Sequence, residues 1–196
     1  VEMTATPYYH PILPLIIDSE AAKRCQPDQP RPQPFQWPED AKAQVEAALD
    51  SHERNFGVRP RGIWPAEGAI SPEAVSLLAE HGAQWVASDE ALLWNSLPPA
   101  KDGHPKSMLY APYSLEDANG NKAQLVFRDR ELSDLIGFSY SRSDADAAIN
   151  DFIDRLEKIG DQHEGDKALV VVALDGENPW EYYAESGLPF LSGLYD

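Results

Sequence analysis

Two acidic segments hold most of the chemistry this sequence can offer. They are Trp64-Pro65-Ala66-Glu67-Gly68-Ala69 and Ala173-Leu174-Asp175-Gly176-Glu177-Asn178-Pro179-Trp180. Each sets a carboxylate at the end of a short apolar run, beside Gly and Trp. In a parallel barrel, the C-terminal end of a strand faces the place where the reaction occurs. Paired carboxylates can divide the work of breaking a glycosidic bond. One attacks or stabilises the sugar carbon while the other handles the leaving-group proton. Tryptophan offers a flat apolar platform for a sugar ring. The two segments together point to a sugar-cleaving site.

Each candidate also has a plainer explanation. Asp175 sits in Asp-Gly, a pair that also caps helices and makes turns. Against that, Asp175, Glu177 and Glu181 crowd beside Trp180, Tyr182 and Tyr183. Such crowding raises at least one carboxyl pKa, as a general acid requires. Glu67 is either an exposed loop acid or a site acid whose small neighbours let a ligand approach. His10, in Tyr8-Tyr9-His10-Pro11, is a structural or surface histidine, or a sugar contact aided by the tyrosines. Arg128, Asp129 and Asp134 form an ion-pair cluster or bind sugar hydroxyls. His52, His81, His104 and His163 lie on helices or in loops and are not read as functional. Metal-ligand histidine spacing, a glycine-rich phosphate loop and a G-x-S-x-G elbow are all absent from the sequence.

Strands must carry these acids to one place. Val1 to Thr6 reads as a strand that runs into a loop punctuated by Pro7, Pro11 and Pro14. Residues 26–38 hold five prolines among polar residues and read as a surface loop. Glu39 to Phe56 is helical, with Pro38 in its first turn, Gly57 at its stop, and Val45, Ala48, Leu49, His52 and Phe56 near one face. Arg61 to Pro65 is a short strand. Ser71 caps the next helix, Pro72 opens it and Gly82 ends it. Trp85 to Ser88 is a buried strand, so this stretch is a β–α–β unit with parallel strands. Residues 98–123 are loop-rich, with a strand near Met108 to Tyr113, and Leu125 to Arg128 is another strand. Ser143 to about His163 is a helix with Ala147, Ile149, Phe152, Ile153, Leu156 and Ile159 inward. Ala168 to Leu174 (ALVVVAL) has the composition of a buried parallel strand. Strands alternate with helices and polar residues follow the strands, as in a parallel α/β barrel or a doubly wound sheet.

Bulk properties narrow the partners. A net charge of −17 argues against nucleic acid and anionic membranes and suits a neutral substrate. Cys25 is the only cysteine, so neither an internal disulfide nor a cysteine-rich metal site is possible. No cofactor is expected, no apolar stretch is long enough to span a bilayer, and a cytoplasmic setting is the working expectation. The 196 residues are fewer than the roughly 250 of a full (β/α) barrel.

Four stretches resemble glycoside hydrolase family 57, which includes α-amylases, amylopullulanases, 4-α-glucanotransferases and branching enzymes. They are Thr6-Pro7-Tyr8-Tyr9-His10-Pro11-Ile12-Leu13-Pro14-Leu15, the Glu67 segment, Phe127-Arg128-Asp129 with Leu132 to Phe138, and the Asp175 segment. The resemblance implies a parallel (β/α)7-type barrel and a retaining double displacement on α-glucans. It implies Glu67 as nucleophile and Asp175 as general acid/base, and His10, Trp64, Asp134 and Trp180 lining sugar subsites. A retaining pair sits roughly 5–5.5 Å apart. The family's His-x-Pro motif and the helical segment after the barrel have no equivalent here. The chain is therefore expected to be the central part of such a catalytic domain, with weak or no activity alone. Two other classes compete: a non-catalytic carbohydrate-binding module, and a metal-dependent deacetylase or mannosidase on a related barrel.

Overall fold

The computed structural model describes residues 2–163, 167–175 and 177–196, and of Glu177 and Asn178 the backbone alone. In chain order the elements are α1 (Leu13–Ile17), α2 (Pro38–Phe56), β1 (Gly62–Ile63), α3 (Pro72–Glu80), β2 (Trp85–Asp89), α4 (Glu90–Ser96), β3 (Tyr113–Glu116), β4 (Lys122–Arg128), α5 (Arg130–Asp134), α6 (Ala145–Asp161), α7 (Glu177–Trp180) and α8 (Leu188–Tyr195). They divide between two compact units. The first is Val1–Ser88 with Pro112–Val126, and the second is Asp89–Ala111 with Phe127–Asp196. Among the described residues no helix is long and apolar enough to cross a membrane.

The first unit is built on an open sheet of four strands in the order β1-β2-β4-β3. β1 and β2 are parallel, with Gly62 opposite Trp85 and Ile63 opposite Val86. That pairing follows from the helix between them, because parallel neighbours need a long crossover. α3 supplies it. Ser71 caps α3 by accepting from the Ala74 N–H, and Pro72 fills the first turn where no donor is needed. α2 ends at Gly57 in a left-handed cap. Its buried side is Ala41, Val45, Ala48, Leu49 and His52, while Phe56 is exposed. Leu13, Val45, Leu49, Ile63, Val75, Leu78, Val86 and Ala123 form the core between helices and sheet. Sequestering these apolar side chains from water is the main force holding the layers together.

β3 and β4 are an antiparallel hairpin, from Tyr113 opposite Leu125 to Glu116 opposite Lys122. Its turn is organised by Asp117, whose carboxylate accepts from the backbone of Asn119 and Asn121 at 2.9 Å each. This hairpin replaces the strand expected near Met108, where the chain instead makes a 3-10 turn over Lys106–Tyr110. The reason lies in Asp117 to Asn121, a turn whose side chains bond their own backbone.

The second unit packs Leu132, Ile136, Tyr140, Ala148, Phe152 and Phe190 around α6 and α8. α6 begins two residues later than expected, because Asp144 caps it by accepting from the Asp146 and Ala147 N–H groups. The inward alanine is Ala148, not the exposed Ala147.

Three expectations need correction. Residues 168–174 are not a strand. Their backbone groups find partners singly: the Leu169 N–H donates to the Tyr110 carbonyl at 2.8 Å, Val171 accepts from the Asp129 N–H at 2.8 Å, and the Ala173 N–H donates to Ser133 Oγ at 3.2 Å. The run is half-buried rather than buried, and Leu169 is exposed. The N-terminal strand is reduced to one parallel bridge, Ala5 to Ile63. The α/β class stands, but the four-stranded sheet is open and does not close into a barrel among the described residues.

Candidate active site

The N-terminal segment reaches the site because it is laid along β1. The Ala5 N–H donates to the Gly62 carbonyl at 3.3 Å, and the Trp64 N–H donates back to the Ala5 carbonyl at 3.0 Å. The chain then turns. Gln44 of α2 anchors that turn twice: its carbonyl accepts from the Tyr8 N–H at 3.2 Å and its Oε1 from the Tyr9 N–H at 2.9 Å. His10 leaves the turn in the left-handed region, with φ 58°.

The loop after β1 comes to meet it. Pro65, Ala66 and Gly68 are buried, but Glu67 between them is exposed and also left-handed, with φ 58° and ψ 17°. The Gly68 N–H closes the turn on the Pro65 carbonyl at 2.8 Å. His10 Nε2 stands 3.2 Å from Glu67 Oε1. The non-glycine residues with positive φ are His10, Glu67, Glu185 and Ser186 among the described residues. Such a backbone costs of order 1–3 kcal/mol per residue and persists only where the surroundings impose it. Here two such residues touch each other. The pair is 56% and 74% exposed, so as an ion pair it contributes little to stability. The stability of this pair does not account for the strain. Trp64 is half-buried at the end of β1.

The other expected residues belong to the second unit. Asp175 follows the 168–174 run and is exposed. Asp134 lies on α5 with its Oδ1 3.7 Å from Arg128 Nη1. Arg128 Nε also bonds Asp89 Oδ2 at 2.8 Å, and Arg130 grips the same carboxylate. Burial alone would raise the Asp89 carboxyl. The bonds from Arg130, the Ala91 N–H and Arg128 outweigh it and hold that group below the usual carboxylate range. Trp180 packs against Tyr183, ring centres 5.2 Å apart, and over Gly187, where a Cβ would come within 2.3 Å of the indole. Tyr183 donates from its hydroxyl to the Ile136 carbonyl at 2.7 Å, and burial pushes its pKa up to about 12. The Glu177 side chain lies outside the described residues, and so does Gly176.

Asp129 is structural. It is fully buried, accepts from the Tyr110 hydroxyl at 2.8 Å and the Leu132 N–H at 3.0 Å, and lies 3.1 Å from Lys106 Nζ. A hollow of about 730 Å³ lined by Ser107, Tyr110, Asp161 and His163 lies in the same unit, but none of the expected site residues lines it. Among the described residues no group of three or more His, Cys, Asp or Glu is arranged to hold a metal ion.

Sequence reasoning misses the residues that hold the His10–Glu67 pair. Gln44 carries no sequence signal. Ser88, whose Oγ donates to the Gly68 carbonyl beside Glu67, carries a faint one, as the hydroxyl in the strand Trp85 to Ser88.

Three solved structures are similar over nearly the whole chain. The 4-α-glucanotransferase of Thermococcus litoralis is 25% identical, with a TM-score of 0.66, and covers 100% of this chain and 25% of its own. The α-amylase AmyC of Thermotoga maritima is 18% identical, with a TM-score of 0.67 over 99% of this chain and 45% of its own. A branching enzyme of Thermococcus kodakaraensis is 17% identical, with a TM-score of 0.69 over 99% of this chain and 43% of its own. The last two show the fold alone. The chain spans between a quarter and just under half of these relatives' length. No curated protein matches it. The family model described as glycosyl hydrolase family 57 matches residues 1–196, and the chain belongs to that family.

Proposed function

We propose that this chain carries catalytic residues of a retaining glycoside hydrolase or transglycosylase that acts on α-glucans. The observation that carries the reading is the Glu67 carboxylate, exposed in the loop after β1 on a left-handed backbone and met by His10 at 3.2 Å. Membership of family 57 and likeness to a 4-α-glucanotransferase support the substrate class. In this reading the chain is the central part of a (β/α)7-type catalytic barrel, with residues 26–38 as a proline-rich surface loop.

Glu67 is the nucleophile. His10, in its Nε2–H tautomer, donates to Oε1 and fixes the carboxylate plane. The other oxygen attacks the anomeric carbon and forms a glycosyl ester as the glycosidic bond breaks. Asp175 is the general acid: it gives its proton to the departing oxygen. It then takes a proton from water or from a sugar hydroxyl, which attacks the ester and releases Glu67. Water yields hydrolysis and a sugar hydroxyl yields glucan transfer. Trp64 and Trp180 stack on sugar rings, while His10 and Asp134 bond sugar hydroxyls.

The test compares the full-length protein with its Glu67→Gln variant on maltoheptaose and amylopectin, following products by chromatography. The reading requires cleavage or transfer by the wild type and a loss of about 1,000-fold or more in the variant, because an amide cannot form the ester. Equal activity would remove Glu67 from the mechanism. An inert wild type would withdraw the substrate class.

A further inference from the structure

The Glu67 turn is pinned from below by a residue outside the acidic segments. Ser88, the penultimate residue of β2, is 1% exposed, and its Oγ donates to the Gly68 carbonyl at 2.6 Å. That carbonyl belongs to the residue after Glu67. Glu67 and Gly68 are consecutive left-handed residues, with φ 58° and 65°. Two left-handed residues in a row do not hold themselves, because only glycine adopts this region without steric cost. Something must prevent the Gly68 peptide from rotating and taking the Glu67 side chain with it. The neighbouring bonds do not do so fully. The Gly68 N–H bonds the Pro65 carbonyl and the Ala69 N–H bonds the Ala66 carbonyl. Both lie within the turn and would move with it. Ser88 is the anchor from the sheet, and β2 is itself fixed against β1 by the Gly62–Trp85 and Ile63–Val86 pairs.

We propose that Ser88 is a positioning residue for the nucleophile, holding the Gly68 carbonyl so that Glu67 presents its carboxylate to His10 and to the sugar. The inference rests on the assignment of Glu67 as nucleophile. Its logic is geometric. Catalytic groups must be held to within about 0.5 Å, and a displacement of about 1 Å costs on the order of 100-fold in rate. A hydroxyl that touches only the backbone of the turn acts on the orientation of the carboxylate, not on sugar binding.

The experiment uses the full-length protein with maltoheptaose and four variants: Ser88→Ala, Ser88→Thr, Gly68→Ala and Glu67→Gln. Steady-state kcat and KM are read alongside the thermal midpoint and the rate of covalent labelling by a fluorinated glycosyl fluoride. Ser88→Ala is expected to lose about 10- to 100-fold in kcat and in labelling rate, with KM within about 3-fold of the wild type. Ser88→Thr keeps the hydroxyl and should recover most of that loss. Gly68→Ala strains the same turn and should fall with Ser88→Ala. A Ser88→Ala variant that melts earlier but turns over and labels like the wild type overturns the proposal, and so does a loss expressed in KM. If Ser88→Ala does not fold, Ser88→Thr and Gly68→Ala decide: an unaffected Gly68→Ala kcat sinks it. An active Glu67→Gln variant takes down both this proposal and the assignment beneath it. An inactive Glu67→Gln beside a normal Ser88→Ala removes only the role of Ser88.

Discussion

Glu67 and Asp129 are both acids that come shortly after a strand, and their surroundings could hardly differ more. Asp129 is 0% exposed and has its carboxylate oxygens engaged by Tyr110, Leu132 and Lys106. It caps α5 in an ordinary extended conformation. The Glu67 side chain is 74% exposed, stands on a left-handed backbone, and meets a histidine that is equally strained. One acid uses its charge to finish a fold, and burying it is tolerable because every bond is made. The other is held out, at a cost in backbone energy, with an oxygen available for chemistry. Position after a strand does not separate the two. Burial and backbone strain do.

The contrast can be broken by matched substitutions. Glu67→Gln should remove about 1,000-fold or more of the turnover while changing stability by less than about 0.5 kcal/mol, since it is an exposed residue. A folded but fully active variant, or an unfolded one, would erase the distinction. Asp129→Ala should do the opposite. Removing this buried acceptor leaves the Tyr110 hydroxyl and the Leu132 N–H without a partner and should cost about 3 kcal/mol in a denaturant titration. A midpoint like the wild type would mean that Asp129 is not the structural acid described.

His10→Asn sharpens the same comparison with a smaller effect. Asparagine tolerates the left-handed region but is too short to hold Glu67. We expect kcat/KM to fall about 10- to 100-fold with the thermal midpoint little changed. No change in rate would leave the His10–Glu67 contact without a catalytic purpose.

Glu73 gives the smallest effect and a third kind of acid, exposed but paired. Arg24 grips it through two bonds of 2.9 and 2.7 Å and draws its pKa from 4.5 down to about 2. A depressed carboxyl contributes stability that is complete above its unfolded pKa and disappears as pH falls through the folded value. The pair should therefore help above about pH 4.5 and stop helping near pH 2. The side chains are 54% and 46% exposed, so screening limits the gain to below about 1 kcal/mol. Thermal midpoints of wild type and Glu73→Gln should differ near pH 6 and converge near pH 2. A gap that persists in acid would point to packing and not charge.

Much of the first unit is legible in the order of its residues. Pro38 and Gly57 bracket α2, Ser71 and Pro72 start α3, and the crossover between them and Trp85 implies the parallel pair that β1 and β2 make. These signals are local: a cap bonds a residue two or three positions away, and a crossover length limits strand direction. The ALVVVAL run misleads because an apolar run reports that a segment is sequestered, not which groups bond it. Here Tyr110, Asp129 and Ser133 take its backbone groups in place of a neighbouring strand. The inward face of α6 is legible in its period, and Ile149, Phe152, Leu156 and Ile159 pack as expected, but in the first turn it is Ala148 and not Ala147 that meets the core.

Residue type and short-range spacing are enough to set the α/β class, the main helices, the exclusion of a disulfide, and the acids worth watching. Packing in three dimensions decides that Asp129 is sealed while Glu67 is presented, and that His10, 57 positions earlier, is the group that meets it. Packing also selects Gln44 and Ser88 as the residues that hold the pair in place. The physical reason is that solvent exposure, backbone strain and long-range hydrogen bonds arise only when distant segments meet, which spacing along a chain does not encode.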